Sequence, residues 1–112
     1  FPTNQFMIDG FSEPYRRDRN GNGGGILIYV REDIPSKQLI DHTFPDDIET
    51  IFIEINLRKC KLLLGGSYHP PSQSHNYFFD KISNSLDLYI SKYDKFLLLG
   101  DFNFPSYGPC IG

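Results

Sequence analysis

Apolar and polar residues alternate most cleanly between Ile48 and Leu57. Ile51, Ile53 and Ile55 fall on one side of an extended chain, and Phe52, Glu54 and Asn56 on the other. That is the two-residue period of a strand. Leu57-Arg58-Lys59-Cys60 reads as a tight connection and Lys61–Ser67 as the returning strand. Leu62-Leu63-Leu64 within it is an unbroken apolar run, the pattern of burial on both faces. The period then changes. Phe78, Phe79, Ile82, Leu86, Ile90 and Tyr93 recur at helical spacing, which predicts one amphipathic helix over 72–93. Ser72 or Ser74 is its expected cap, following Pro70 and Pro71, and Lys92 suits its last turn. Phe96-Leu97-Leu98-Leu99 then runs into Gly100, Asp101, Phe102 and Asn103, another strand buried on both faces.

The first forty residues are less regular. Phe6-Met7-Ile8 reads as a weak strand, and 13–22 as a charged, turn-rich loop containing Arg16, Arg17 and Arg19. Such a loop is either a solvated surface segment or a phosphate-contacting one, since guanidinium groups match phosphate oxygens. Arg19, nearest the following glycines, is the candidate contact. Asn22–Gly25 is a tight turn. It lacks the Gly-Lys-Ser/Thr ending of a nucleotide loop and precedes a strand, Ile26–Val30, rather than a helix. A short strand is expected near Leu39-Ile40, and His42 is expected at the surface. Glu49 and Glu54 are expected as sheet-surface carboxylates rather than metal ligands.

Composition narrows the class. At 112 residues and 39% hydrophobic content, the chain is one modest domain, not a disordered segment. A net charge of -3 gives no general basic footprint for nucleic acid. Cys60 and Cys110 lack zinc-type spacing, and two free thiols in a reducing, intracellular compartment are expected. No apolar run approaches the roughly 20 residues that span a bilayer. The start, Phe1-Pro2-Thr3-Asn4, resembles neither a signal peptide nor an initiator, so a piece of a longer reading frame is expected.

The order of elements carries a geometric consequence. Strand 61–67, helix 74–93 and strand 96–100 form a crossover unit, which sets its two strands parallel. Their carboxyl ends then share one sheet edge, where such sheets bind ligands. Tyr68, His69, Asp101 and Asn103 all fall there. If the chain stays extended past Gly100, Asp101 and Asn103 project side by side, roughly 7 Å apart, while Phe102 and Phe104 turn inward.

Gly100-Asp101-Phe102-Asn103 resembles the signature of the endonuclease/exonuclease/phosphatase superfamily. Gly23–Val30 resembles its Gly-rich approach to an early core strand, and Tyr68-His69-Pro70-Pro71 its Tyr-x-Pro-Pro turn. Together these look most like the endonuclease domain of LINE-type (non-LTR) retrotransposons. The resemblance implies a two-sheet α/β sandwich (DNase I-like), of which 1–112 would be an incomplete domain truncated at both ends. It implies a Mg2+-dependent phosphodiesterase acting on DNA, nuclear, with a reverse-transcriptase region in the same longer chain. Asp101 would be the general base, Asn103 and Tyr68 phosphate contacts, and His69 a contact or a bystander where the family commonly has Arg.

The chain also departs from that pattern. The family's metal-binding Glu should precede Phe1, and its terminal Ser-Asp-His should follow Asn103, where residues 104–112 form an atypical tail. The metal ligands are therefore unknown. Little or no activity, and marginal stability, are expected of the chain alone. Other readings stay open. One is another phosphoesterase of the superfamily, acting on inositol phosphates or RNA tails. Another is a non-catalytic remnant. The alternatives for single residues are a capped turn at Asp101 and Asn103 and a packed rim aromatic at Tyr68.

Overall fold

The computed structural model describes residues 7–18, 25–40 and 44–103. Within them lie two sheets and one helix. Strands β1 (Tyr15–Asp18) and β2 (Gly25–Ile28) form an antiparallel pair. Strands β3 (Ser36–Leu39), β4 (Glu49–Asn56), β5 (Lys61–Tyr68) and β6 (Lys95–Asp101) form a second sheet in that order. Helix α1 (His75–Tyr89) joins β5 to β6 and continues as a 3-10 turn, Ile90–Lys92. The first three pairings, β1–β2, β3–β4 and β4–β5, are antiparallel, and β5–β6 is parallel, as a helical crossover requires.

The larger sheet has two unlike faces. Phe52, Leu63, Phe96 and Leu98 meet Phe78, Ile82, Leu86 and Tyr89 of α1. This is the main core, with Leu63 and Phe78 fully buried. The opposite face carries Ile51, Ile53 and Leu64 and receives the β1–β2 hairpin over β4 and β5. Two glycines set how closely the layers approach. A Cβ on Gly65 would lie 2.9 Å from Leu98 Cδ1 on the helix side. One on Gly66 would lie 2.8 Å from Ile28 Cδ1 on the hairpin side. Adjacent positions on one strand point to opposite faces, so one Gly-Gly pair admits neighbours on both.

The helix starts where a serine cap is available. Ser74 Oγ accepts a hydrogen bond from the Tyr77 amide at 3.3 Å, satisfying one of the free amides of the first turn. Its buried positions are Phe78, Ile82 and Ser85. Ile90, expected on the same stripe, is 51% exposed. The helix tightens to 3-10 geometry there, which rotates the stripe away from the core.

Several sequence expectations need correction. The charged segment 15–18 is a strand rather than loop. Tyr15 and Arg17 pair with Ile28 and Ile26, and Tyr15 Oη bonds Ser36 Oγ at 2.8 Å. Met7-Ile8 is not a strand, and both side chains are about half exposed. Glu54 is buried, 8% exposed, rather than a surface carboxylate. Tyr93 Oη donates to it at 2.8 Å and Asn56 Nδ2 at 3.2 Å, with Lys37 Nζ 3.9 Å away. Cys60 is a free thiol. His42, Arg19, Phe104 and Cys110 lie outside the described residues.

Two predictions follow from close contacts. Gly100 has φ +153 and lies against the Ser67 backbone, so that a Cβ would collide with the Ser67 carbonyl. Gly100→Ala is expected to cost about 3 kcal/mol or more in urea unfolding, because backbone must shift. Gly10→Ala (φ +87, nothing within 4 Å) should cost only about 1 kcal/mol. The Tyr93–Glu54 bond gives the second. Tyr93's hydrogen bond holds Glu54 below its ordinary carboxylate range, so this contribution is present above about pH 4.5 and is lost as pH falls through the lowered folded value. Burial, then the bond to Glu54, pushes Tyr93 up to about 12. Its contribution is complete below about pH 10 and is lost as pH rises toward 12. Tyr93→Phe should remove about 1.5 to 3 kcal/mol at neutral pH and flatten that alkaline loss, measured by denaturation across pH.

Candidate functional site

The parallel ladder aligns the two strand ends. Tyr68 is the register partner of Asp101, and on the other side of β5 it partners Glu49. Side chains opposite one another in a ladder share a face, so Glu49, Tyr68 and Asp101 form a row across three strands at one end of the sheet. The Cα atoms of Tyr68 and Asp101 are about 4.8 Å apart, the spacing of neighbouring strands. The row lies on the hairpin face. Tyr68 and Asp101 edge an open cleft of about 580 Å3 whose walls are Ile26, Ile28, Leu64 and Leu99. Asp101 is exposed and Tyr68 half-buried.

Asp101 and Asn103 do not project side by side. The chain is extended only as far as Asp101. Asn103 then takes a left-handed conformation, φ 47, which Asn tolerates better than most residues. Its amide donates to Asp101 Oδ1 at 3.1 Å, a local turn of the kind these two residue types favour. Its side chain folds back, and Nδ2 donates to the His69 carbonyl at 2.7 Å. Phe102 packs into the core beside Phe78 and Phe79, as alternation predicts.

His69 is the residue whose surroundings differ most from the expected phosphate contact. It is 1% exposed. Its amide donates to the Asp101 carbonyl at 2.8 Å, continuing the ladder one residue past β5. Its ring nitrogens face two carbonyl oxygens, Nδ1 that of Phe102 at 2.6 Å and Nε2 that of Gln73 at 2.8 Å. Carbonyls only accept. A neutral ring therefore donates to one of them, and a doubly protonated ring to both. The ring also packs on His75 (centroids 4.4 Å apart) and Phe78 (4.8 Å). His69 thus fastens the end of β6 to the turn before α1, and in this arrangement its nitrogens are not presented to a ligand.

That turn is tied to the β3–β4 loop as well. Gln73 Nε2 donates to the Asp47 carbonyl at 3.0 Å, and Tyr77 Oη to Asp47 Oδ1 at 3.0 Å. The latter bond raises the Tyr77 pKa above its ordinary value. The arginines of β1 are engaged locally. Arg16 forms a fork with Asp18 at 2.7 and 3.2 Å, and Arg17 Nη2 donates to the Asp46 carbonyl at 2.6 Å. No group of three or more His, Cys, Asp or Glu side chains among the described residues is placed to hold a metal ion.

The residues that polar composition alone did not reveal are structural partners: Thr50 with Ser67, and Glu54 with Tyr93. Thr50 Oγ1 and Ser67 Oγ are buried and lie 2.9 Å apart, on the opposite face of the sheet from the row of Glu49, Tyr68 and Asp101. Their only signal in the sequence is a hydroxyl at paired strand positions.

Together these features define a small mixed α/β domain of two sheets and one helix, with polar groups at the carboxyl ends of two parallel strands. No protein-family model and no curated protein matches the chain. None of its helices is long and apolar enough to cross a membrane, among the described residues.

His69→Ala is expected to cost about 3 kcal/mol in urea unfolding, from a cavity beside Phe78 and two released carbonyls. A histidine merely awaiting a ligand at the surface would cost less than about 0.5 kcal/mol.

Proposed function

We propose that this chain is part of a phosphodiesterase, a DNA endonuclease of a retrotransposon-like element, in which Asp101 acts as general base and Tyr68 contacts the phosphate. The observation that supports the reading is the register Tyr68–Asp101 at the mouth of the cleft. An exposed carboxylate one strand from a phenol offers a proton acceptor and a donor within reach of one substrate group. The Asn103 amide on Oδ1 orients that carboxylate. Asn103 is the third member by resemblance; it would reach phosphate with the second hydrogen of Nδ2, or by leaving the His69 carbonyl.

Magnesium belongs to this reading, and no group of three or more His, Cys, Asp or Glu side chains among the described residues is placed to hold it. Further ligands would come from a longer chain, together with a reverse-transcriptase region. The Asn103 side-chain amide donates to a carbonyl and both His69 ring nitrogens face carbonyls, which favours a second reading, a non-catalytic remnant whose turn residues have become purely structural.

Nicking of supercoiled plasmid in magnesium separates the two. The 112-residue chain alone is expected to show no turnover above buffer. The chain extended on both sides through its own reading frame is expected to nick, and Asp101→Ala to lower the rate by about 10²–10⁴-fold. Stop codons closing the frame on both sides would leave the remnant, and nicking indifferent to Asp101→Ala would remove the proposed role of Asp101.

A further inference from the structure

Strand β6 ends the larger sheet: β5 pairs with one side, and among the described residues nothing pairs with the other. The two edges of this sheet are unlike. The opposite edge, β3, is four residues long and carries Lys37 and Gln38. β6 is seven residues long, Lys95-Phe96-Leu97-Leu98-Leu99-Gly100-Asp101, with neither a charge nor a proline from 96 to 100. Natural edges are normally guarded by such residues. Leu97 and Leu99, 44% and 51% exposed, point to the side of the sheet where, among the described residues, the hairpin lies over β4 and β5.

The strand is also complementary to itself. The Asp101 carbonyl accepts from His69 and so faces β5. By alternation the backbone groups of Leu99 and Leu97 face β5 too, and those of Phe96, Leu98 and Gly100 face outward. Antiparallel pairing with a second β6, centred on Leu98, joins outward-facing groups throughout. It sets Leu98 opposite Leu98 and Phe96 opposite Gly100 as hydrogen-bonded pairs. It sets Leu97 opposite Leu99 and Lys95 opposite Asp101 as the closer, non-bonded pairs. Both terminal charges then meet an opposite charge, twice over, and the exposed leucines of the two copies form one apolar surface.

We propose that β6 is a self-association edge, and that two copies pair antiparallel through it into one continuous eight-stranded sheet. The second copy is favoured over an unrelated strand because the charges at the two ends of β6 match only its own reverse. The dimer is isologous, closed by a two-fold axis through Leu98. It goes beyond the catalytic reading and does not require it, since assembly is measured without turnover.

Sedimentation equilibrium of the intact 112-residue chain is expected to show a reversible monomer–dimer system. Lys95→Asp or Asp101→Lys alone should weaken dimerisation about tenfold, as two exposed attractions become repulsions. The double variant Lys95→Asp/Asp101→Lys should return to within about threefold of the original, since the pairs are restored with sign reversed. Hydrogen exchange gives a second readout that needs no variant. The Phe96, Leu98 and Gly100 amides should become more protected as concentration rises, while that of Leu97 stays constant. A monomer at every concentration, open-ended assembly, single charge variants that dimerise like the original, or exchange independent of concentration would each overturn the proposal.

Discussion

The structure depends on how closely β5 and β6 approach in parallel. Gly100 makes that approach possible, and two further glycines admit the layers on either face of the sheet. Gly100 lies directly against the Ser67 backbone, Gly65 admits Leu98 and Phe52, and Gly66 admits Ile28. A methyl group at any of them presses on a neighbour, and at Gly100 the neighbour is backbone, which cannot rotate away. With the ladder in register, much else is determined. Leu98 and Phe96 turn to the helix, Leu97 and Leu99 to the hairpin side, and Tyr68 falls beside Asp101. A slip of one residue would exchange the two faces of β6 and set Asp101 over the core.

The same ladder explains why the strand ends are ordered enough to form a site. Past β5, the His69 amide makes one more inter-strand bond, to Asp101. The His69 ring then bonds the Phe102 carbonyl, and the Asn103 side chain returns to the His69 carbonyl. Two chain segments are thus cross-fastened within three residues. Buried polar groups are stable only when partnered, and here each of these partners is supplied by the other segment. The rim is therefore an extension of the fold, and Asp101 stands exposed on a support that is itself buried.

Much of this was legible in the sequence because period and order carry it. The shift from alternation at Ile51–Ile55 to helical spacing at Phe78–Leu86, then to Phe96–Leu99, determines a parallel strand pair and the edge where Tyr68 and Asp101 meet. What was illegible depends on partners distant in sequence. Tyr15–Asp18 is a strand because Ile26 and Ile28 pair with it, although four residues with three charges carry little strand signal of their own. Glu54 is buried because Tyr93, thirty-nine positions away, donates to it. Asn103 leaves the extended path because the His69 carbonyl needs a donor, a requirement that alternation cannot express. His69 itself looks like a ligand-binding residue by type, and only the crossing of segments around it shows that its nitrogens are occupied.

Asp101 stands at the meeting point of the two proposals, and they make opposite demands on it. A general base needs a carboxylate open to water and substrate. A paired edge places Lys95 of a second copy against the same carboxylate, and brings that copy's β6 alongside the cleft containing Leu99 and Tyr68. One carboxylate cannot be fully engaged in both. Self-association of this chain and hydrolysis at Asp101 would therefore be mutually exclusive states of the same edge. In a longer chain, a further strand covering β6 would fill the edge from within, leave Asp101 without the second copy's lysine, and favour the hydrolytic state. Whether β6 has a neighbour from its own chain thus decides which of the two proposed states is open to Asp101.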